Sequence, residues 1–156
     1  MIKTVDQLFR GLLASLMALM VVCVSWQVIS RYALNTPSPW TEELARFALI
    51  WIGLLGSAYA YHLKMHLGLD LLGQHLSPTR AHKLSLLLHL LAIVFAATVM
   101  VYGGIKLVFM VNELGQFSPA LGWPMGAVYS ALPLSGLALI GYAVIDCQSL
   151  LMEPQS

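Results

Sequence analysis

Residues 31–70 read RYALNTPSPWTEELARFALIWIGLLGSAYAYHLKMHLGLD and combine a group of ions with a long apolar run. Arg31, Glu42, Glu43 and Arg46 lie at the start of this run, in a chain that is otherwise nearly free of charge. Ions inside a hydrophobic segment cost free energy unless they lie at an interface or have partners. We therefore expect these four side chains to lie at a membrane boundary and to be paired.

The composition indicates a membrane protein. The chain has 156 residues, of which 59% are hydrophobic and only 10% are charged, whereas about a quarter of the residues of a soluble domain are charged. A soluble fold of this size could not bury so much apolar surface, so lipid must be the solvent for most of it. The formal net charge of +1 argues against a nucleic-acid partner, which requires a basic surface.

Four apolar segments are each long enough to cross a hydrocarbon core of about 30 Å. We predict an all-α membrane protein with one membrane domain over residues 1–156 and four transmembrane helices, at about 12–29, 44–61, 84–105 and 124–145. Glycines on such helices allow close helix contacts, and we expect this of Gly53, Gly56, Gly136 and Gly141. Pro133 is expected to kink the fourth helix.

A short amphipathic helix is predicted between the second and third spans, over about residues 63–76. Its apolar stripe is Met65, Leu69, Leu72 and Leu76. The opposite side carries His62, His66 and Asp70, a pattern typical of a helix that lies on a membrane surface. The spacing of these three residues is also compatible with a metal ion. The wet interface and the absence of a further ligand nearby favour a polar face instead, so no metal is predicted.

The second span has the start signals of a helix. Ser38 suits the N-cap and Pro39 the first helical position. Glu42 and Glu43 fall in the first turn, where the helix dipole favours carboxylates. Arg46 is four residues after Glu42 and three after Glu43, so we expect these three side chains to meet on one surface.

The third and fourth spans are joined by a predicted loop over residues 112–123. It contains two turn signals, Ser118-Pro119 and Gly122-Trp123-Pro124. The distribution of Lys and Arg places both chain termini in the cytoplasm. The Arg31–Glu43 corner and this loop would then face outward.

Two blocks of sequence resemble a known family. The first is Arg31-Tyr32 followed by WTEELARF at 40–47, the apolar run and His66-x-x-x-Asp70. The second is FSPALGWPMGAVYSALPLSG at 117–136. Together, at this spacing, they resemble the small membrane subunit of tripartite ATP-independent periplasmic (TRAP) transporters. The resemblance covers nearly the whole chain.

The resemblance implies a non-catalytic accessory subunit of a sodium-coupled importer in a bacterial inner membrane. Its partners would be a large membrane subunit, whose scaffold it supports, a periplasmic substrate-binding protein and membrane lipids. The solute would be a carboxylate, such as a C4-dicarboxylate, a sialic acid or another sugar acid. No cofactor, catalytic residue or nucleic acid is implied.

Twelve residues are the site candidates. Candidates for contact with a partner or with lipid are Arg31, Tyr32, Trp40, Glu42, Glu43, Arg46, His66 and Asp70. Candidates in the outward loop are Ser118, Pro119, Gly122 and Pro124. The charged residues could serve only as a local ion-pair anchor, or could also contact the large subunit or lipid headgroups.

The sequence disfavours two other function classes. A self-sufficient carrier of the small multidrug exporter type depends on a membrane-embedded Glu in its first helix, which this sequence lacks. A haem or quinone anchor of a respiratory enzyme would need His on two facing helices. His82 and His89 lie on the third helix, while the first and fourth have none, so we expect His89 to bond a neighbour or extend toward the headgroups.

Overall fold

The computed structural model describes residues 2–63 and 78–152, and this part of the chain is almost entirely helical. In chain order the helices are α1 (Ile2–Tyr32), α2 (Pro39–His62), α3 (Pro78–Phe95), a π-helical segment (Ala96–Gly103), α4 (Gly104–Glu113), α5 (Met125–Tyr129) and α6 (Ala131–Met152). Within these described ranges the β-structure is limited to an isolated bridge between Phe117 and Pro124.

The predicted all-α fold with four membrane spans is confirmed. Four helical stretches are long and apolar enough to cross a bilayer: Asp6–Tyr32, Pro39–His62, Arg80–Glu113 and Met125–Leu150. The third span stays helical to Glu113, so the predicted start of the following loop at residue 112 was two residues early. The amphipathic helix predicted over 63–76, with His66 and Asp70, lies outside the described part except for its first residue.

The chain forms two compact units. The first comprises Met1–Gly56 and Lys106–Ala131, and the second comprises Ser57–Ile105 and Leu132–Ser156. Each unit therefore takes residues from both halves of the sequence. The single membrane domain over residues 1–156 stays a prediction.

In the first unit, α2 begins at Pro39, as the sequence predicts. The Ser38 carbonyl oxygen accepts hydrogen bonds from the Thr41 hydroxyl at 2.8 Å and from the Glu42 amide nitrogen at 3.5 Å. Asn35 has a φ of 52°, a left-handed conformation that Asn tolerates better than most residues. This turn brings the chain from the end of α1 into α2.

In the second unit, α6 packs closely against the π-helical segment. A Cβ atom added to Gly136 would lie 2.7 Å from the Met100 Cβ and 3.0 Å from a Val101 methyl group. Ala96 and Met100 are buried at this contact. The predicted close approach at Gly136 is confirmed, because only a residue without a side chain fits there.

The other three predicted glycine contacts differ. Among the residues that the structure describes, added Cβ atoms at Gly53 and Gly141 would meet nothing within 4 Å, and one at Gly56 would meet only Leu13, at 3.9 Å. The prediction was wrong for Gly53 and Gly141, because spacing alone does not show which face of a helix meets a neighbour. Gly104 is a close contact that the sequence did not reveal: its added Cβ would lie 2.8 Å from Pro133 Cδ.

The fourth span is interrupted near Pro133, where a kink was predicted. Helix α5 ends at Tyr129, and α6 begins at Ala131. Proline has no amide hydrogen, so Pro133 cannot donate the hydrogen bond that would continue the helix past Tyr129. The break lies one turn before the proline for this reason.

The contact at Gly136 predicts an unequal effect of two similar substitutions. We expect Gly136→Ala to lower the free energy of unfolding by about 1–3 kcal/mol through overpacking. Gly141→Ala, in the same helix, should change it by no more than about 0.5 kcal/mol. Unfolding of the purified variants in mixed micelles measures both, and equal stabilities would contradict the close contact.

Candidate functional site at the start of the second span

Glu43 is a buried carboxylate whose hydrogen-bond donors come from the loop after α4. Its Oε2 atom accepts hydrogen bonds from the backbone amides of Leu121 at 2.8 Å and Ala120 at 3.1 Å. Only 7% of Glu43 is exposed. Burying a carboxylate is costly unless charge-assisted hydrogen bonds replace its hydration. Two successive amides aimed at one oxygen meet this need and tie the loop to α2.

The connecting loop, residues 114–124, is closed by its own hydrogen bonds. The Ser118 amide donates to the Trp123 carbonyl oxygen at 2.8 Å, and the Trp123 amide donates to the buried Ser118 hydroxyl at 3.1 Å. Gly122 has a φ of 66° and Gly115 a φ of 59°, values that favour glycine. These bonds fix the turn in which the Ala120 and Leu121 amides point to Glu43.

Glu42 and Arg46 form an exposed ion pair one helical turn apart. Arg46 Nη2 lies 2.9 Å from Glu42 Oε1, and the two side chains are 64% and 66% exposed. The predicted meeting of the three side chains on one surface holds in part: Glu43 borders a hollow together with Glu42 and Arg46, but it bonds the connecting loop and not Arg46. Successive helix positions are rotated by about 100°, and that rotation turns Glu43 toward the connecting loop.

The structure brings several of the predicted residues around one hollow of about 480 Å³ in the first unit. It is lined from α2 by Pro39, Trp40, Glu42, Glu43 and Arg46, and from the connecting loop by Pro119 and Ala120. Trp40 is half exposed, and Tyr32, at the end of α1, is largely exposed. Such aromatic side chains commonly lie at headgroup level.

Arg31 lies beside a different, smaller hollow, formed where α1 ends and α2 begins. Glu42 lines both hollows, so these charged residues lie near one another, but Arg31 has no ion-pair partner among the described residues, and the expectation that all four charges are paired is wrong for it. Of the loop candidates, Ser118 is buried and structural, Gly122 allows the turn, and Pro124 forms the bridge to Phe117. His66 and Asp70 fall outside the described residues.

In the second unit, His89 contacts the end of α2. The Tyr61 hydroxyl and His89 Nδ1 are hydrogen-bonded, and their rings meet edge to face with centroids 5.7 Å apart. The expected bond from His89 to a neighbour is confirmed. His62 stacks on Tyr142 with ring centroids 4.3 Å apart. No group of three or more His, Cys, Asp or Glu side chains within the described ranges could hold a metal ion.

The fold and these contacts define a multi-span, all-α membrane protein with a charged corner and a connecting loop fixed to it. The model of the family described as tripartite ATP-independent periplasmic transporters, DctQ component, matches residues 20–151. The chain belongs to this family, the small membrane subunits of TRAP transporters.

Individual relatives agree with this assignment. A Haemophilus influenzae protein whose name places it among TRAP transporter small permeases is 29% identical over 133 residues, 85% of this chain and 81% of the relative. The sialic acid TRAP transporter small permease SiaQ of Vibrio cholerae is 29% identical over 101 residues, 65% of this chain and 58% of the relative. The isethionate TRAP transporter permease DctMQ of Oleidesulfovibrio alaskensis is 34% identical over 97 residues, which are 62% of this chain but 15% of that longer protein.

The contacts of Glu43 predict how the connecting loop depends on it. Glu43→Ala leaves the Ala120 and Leu121 amides without their acceptor, so we expect their hydrogen exchange to accelerate by roughly tenfold or more, as loss of charge-assisted bonds of about 1.5–3 kcal/mol implies. Hydrogen–deuterium exchange of peptides covering 118–123 measures this.

Two control variants sharpen the test. Glu43→Gln keeps a carbonyl oxygen as acceptor and should accelerate exchange less than Glu43→Ala. Glu42→Ala removes the neighbouring carboxylate without touching the loop and should leave exchange unchanged. An equal response to the Glu42 and Glu43 substitutions would show that Glu43 does not hold the loop.

Proposed function

We propose that this chain is the non-catalytic small subunit of a sodium-coupled TRAP importer and supports the scaffold of a large membrane subunit. The observation that carries the proposal is the match to DctMQ, in which the similar region makes up 15% of a longer permease. A region that is covalently joined to a permease in one relative is expected to bind a separate permease chain when it stands alone.

The solute is proposed to be a carboxylate such as a C4-dicarboxylate, a sialic acid or another sugar acid. The relative named for sialic acid supports a carboxylate, whereas isethionate is a sulfonate, so the relative named for it supports only the broader class of organic anions.

The apolar surfaces of the spans support a role beside another membrane protein. In the most apolar windows of the first and third spans, only 6% and 11% of the residues are buried, against 33% in the second and fourth. Lipid or a neighbouring protein must cover the exposed apolar side chains, because both solvate them without cost. We propose that the large subunit covers part of this surface.

The positions of the buried carboxylates support a static role. Among the described residues these are Glu43, near the start of the second span, and Asp146, near the end of the fourth. A carrier that works alone is expected to have an ionisable group on a pathway through the membrane. Both carboxylates lie toward the ends of their spans, and Glu43 is bonded to a loop, which suits a structural role.

The proposed setting is a bacterial inner membrane with both chain termini in the cytoplasm. The charged corner and the connecting loop would then face the periplasm, where a substrate-binding protein delivers solute. Phe117 and Trp123 are 65% and 50% exposed on that loop and offer a surface for this protein. Labelling of the amino-terminal residues with a membrane-impermeant reagent tests this orientation. The reagent should label them in inverted vesicles and not in intact cells.

Affinity purification tests the subunit role. When the tagged chain is co-expressed with the large subunit and purified by its tag, the large subunit should co-purify in a stable complex. Glu42→Ala and Arg46→Ala should each lower the recovery by about two- to fivefold, in line with the ~1 kcal/mol limit of an exposed ion pair. His89→Ala should lower it less, because His89 bonds Tyr61 within this chain.

A charge swap separates pairing from partner contact. The double variant Glu42→Arg with Arg46→Glu should recover the complex partly if the mutual pair is what matters. If the double variant recovers no more complex than the single variants do, the two charged side chains act through contacts with the large subunit and not through their mutual pair. Failure of the wild-type chain to recover any larger membrane protein would overturn the proposed function.

A further inference from the structure

An apolar hollow of about 320 Å³ lies in the first unit and shares no residue with the two hollows at the charged corner. It is enclosed by α1, α2, the end of the connecting loop and α5, and its walls include Leu16, Leu19, Phe47, Trp51, Trp123 and Ala127. An apolar cavity of about 150 Å³ can hold benzene. The hollow therefore has room for a bulky apolar side chain.

The hollow reaches from near the start of the second span to its middle. Leu44 lines it five residues after Pro39, where the span begins, and Trp51 lines it at the midpoint of Pro39–His62. Seven residues of helix, from 44 to 51, rise by about 10 Å. Leu19, on the opposite wall, is likewise at the midpoint of the first span, Asp6–Tyr32. At this depth the surroundings are hydrocarbon or protein, and water does not fill the hollow.

Trp51 distinguishes between lipid and protein as the occupant. Its side chain is half-buried on the wall of the hollow and makes no hydrogen bond to any residue in the described ranges. The indole N–H is a hydrogen-bond donor. Tryptophans that face lipid are typical of the headgroup level, where acceptors are available. An acyl chain in the middle of the membrane offers no acceptor, whereas the helix of another membrane protein can.

We propose that a membrane helix of the large subunit packs at this hollow, with a bulky apolar side chain inside it and an oxygen acceptor at the Trp51 indole. The inference rests on the proposed function, because it takes a large subunit to lie beside this chain. Membrane helices associate through close packing and interhelical hydrogen bonds, and the hollow offers a shape for the first and a donor for the second. Trp123, half exposed at its edge, adds an aromatic surface of the kind enriched in protein interfaces.

Site-specific photo-crosslinking identifies the occupant. A benzophenone side chain in place of Ala127, an exposed residue on the wall of the hollow, reacts with C–H bonds of protein and lipid alike. In membranes that contain both subunits, we expect it to form an adduct with the large subunit. The matched control carries the same group in place of Ala97, an exposed alanine of the π-helical segment in the second unit, and should form at least fivefold less of this adduct. An adduct with phospholipid alone at position 127 would assign the hollow to an acyl chain and overturn the proposal.

Substitutions measure the contributions of packing and of the hydrogen bond. Ala127→Trp fills the hollow from its exposed side and should lower co-purification of the large subunit by about tenfold or more, as overpacking implies. Ala97→Trp adds the same bulk elsewhere and should lower it by less than twofold. Trp51→Phe keeps an aromatic ring without the N–H and should lower it by about two- to tenfold, as the loss of one hydrogen bond implies. Each variant, purified alone, should unfold at the same temperature as the wild-type chain, which separates binding from folding.

The proposed function and this inference fail in different ways. If the wild-type chain recovers no large subunit, the proposed function fails. If the wild-type chain recovers it but Ala127→Trp and Trp51→Phe recover as much, the large subunit binds at another surface and only the inference is overturned. Equal crosslinking from positions 97 and 127 would overturn it in the same way.

Discussion

A carboxylate buried at the edge of a membrane span must find hydrogen-bond donors, and the arrangement of the first unit depends on how Glu43 finds them. Its Oε2 atom accepts from the amides of Ala120 and Leu121, some 77 residues away in sequence. The loop can present those amides only because Ser118 and Trp123 bond each other and Gly122 permits the turn. The two family blocks of the sequence are thus joined by one side chain.

Glu43 is bonded to the loop, and the other charged side chains at this corner lie at separate places. Glu42 and Arg46 pair on the exposed side of α2, and Arg31 stands apart beside the hollow at the end of α1. None of them lies at the middle of a span. Ions at the ends of spans suit attachment to headgroups or to a neighbouring protein, since in the membrane interior they would mark a pathway for cargo. The charge distribution and the family membership therefore agree with a supporting subunit.

The fold was predictable because its main signal is local. Apolar runs of sufficient length and the Ser38-Pro39 start signal depend only on neighbouring residues, and both hold in the structure. Contacts between distant segments were not predictable. The spacing of Glu43 and Arg46 suggested a pair, but a turn 77 residues later supplied stronger donors for Glu43. Likewise, Gly136 and Gly141 look alike in sequence, and only the packing of α6 shows that the first meets Met100.

Solute uptake into vesicles tests the supporting role most directly. Proteoliposomes should be prepared with this chain alone, with the large subunit alone, and with both, each supplied with the substrate-binding protein, its solute and an inward sodium gradient. The account predicts no accumulation above that of empty vesicles for this chain alone, and faster uptake with both subunits than with the large subunit alone. Solute accumulation by this chain without the large subunit would contradict the account.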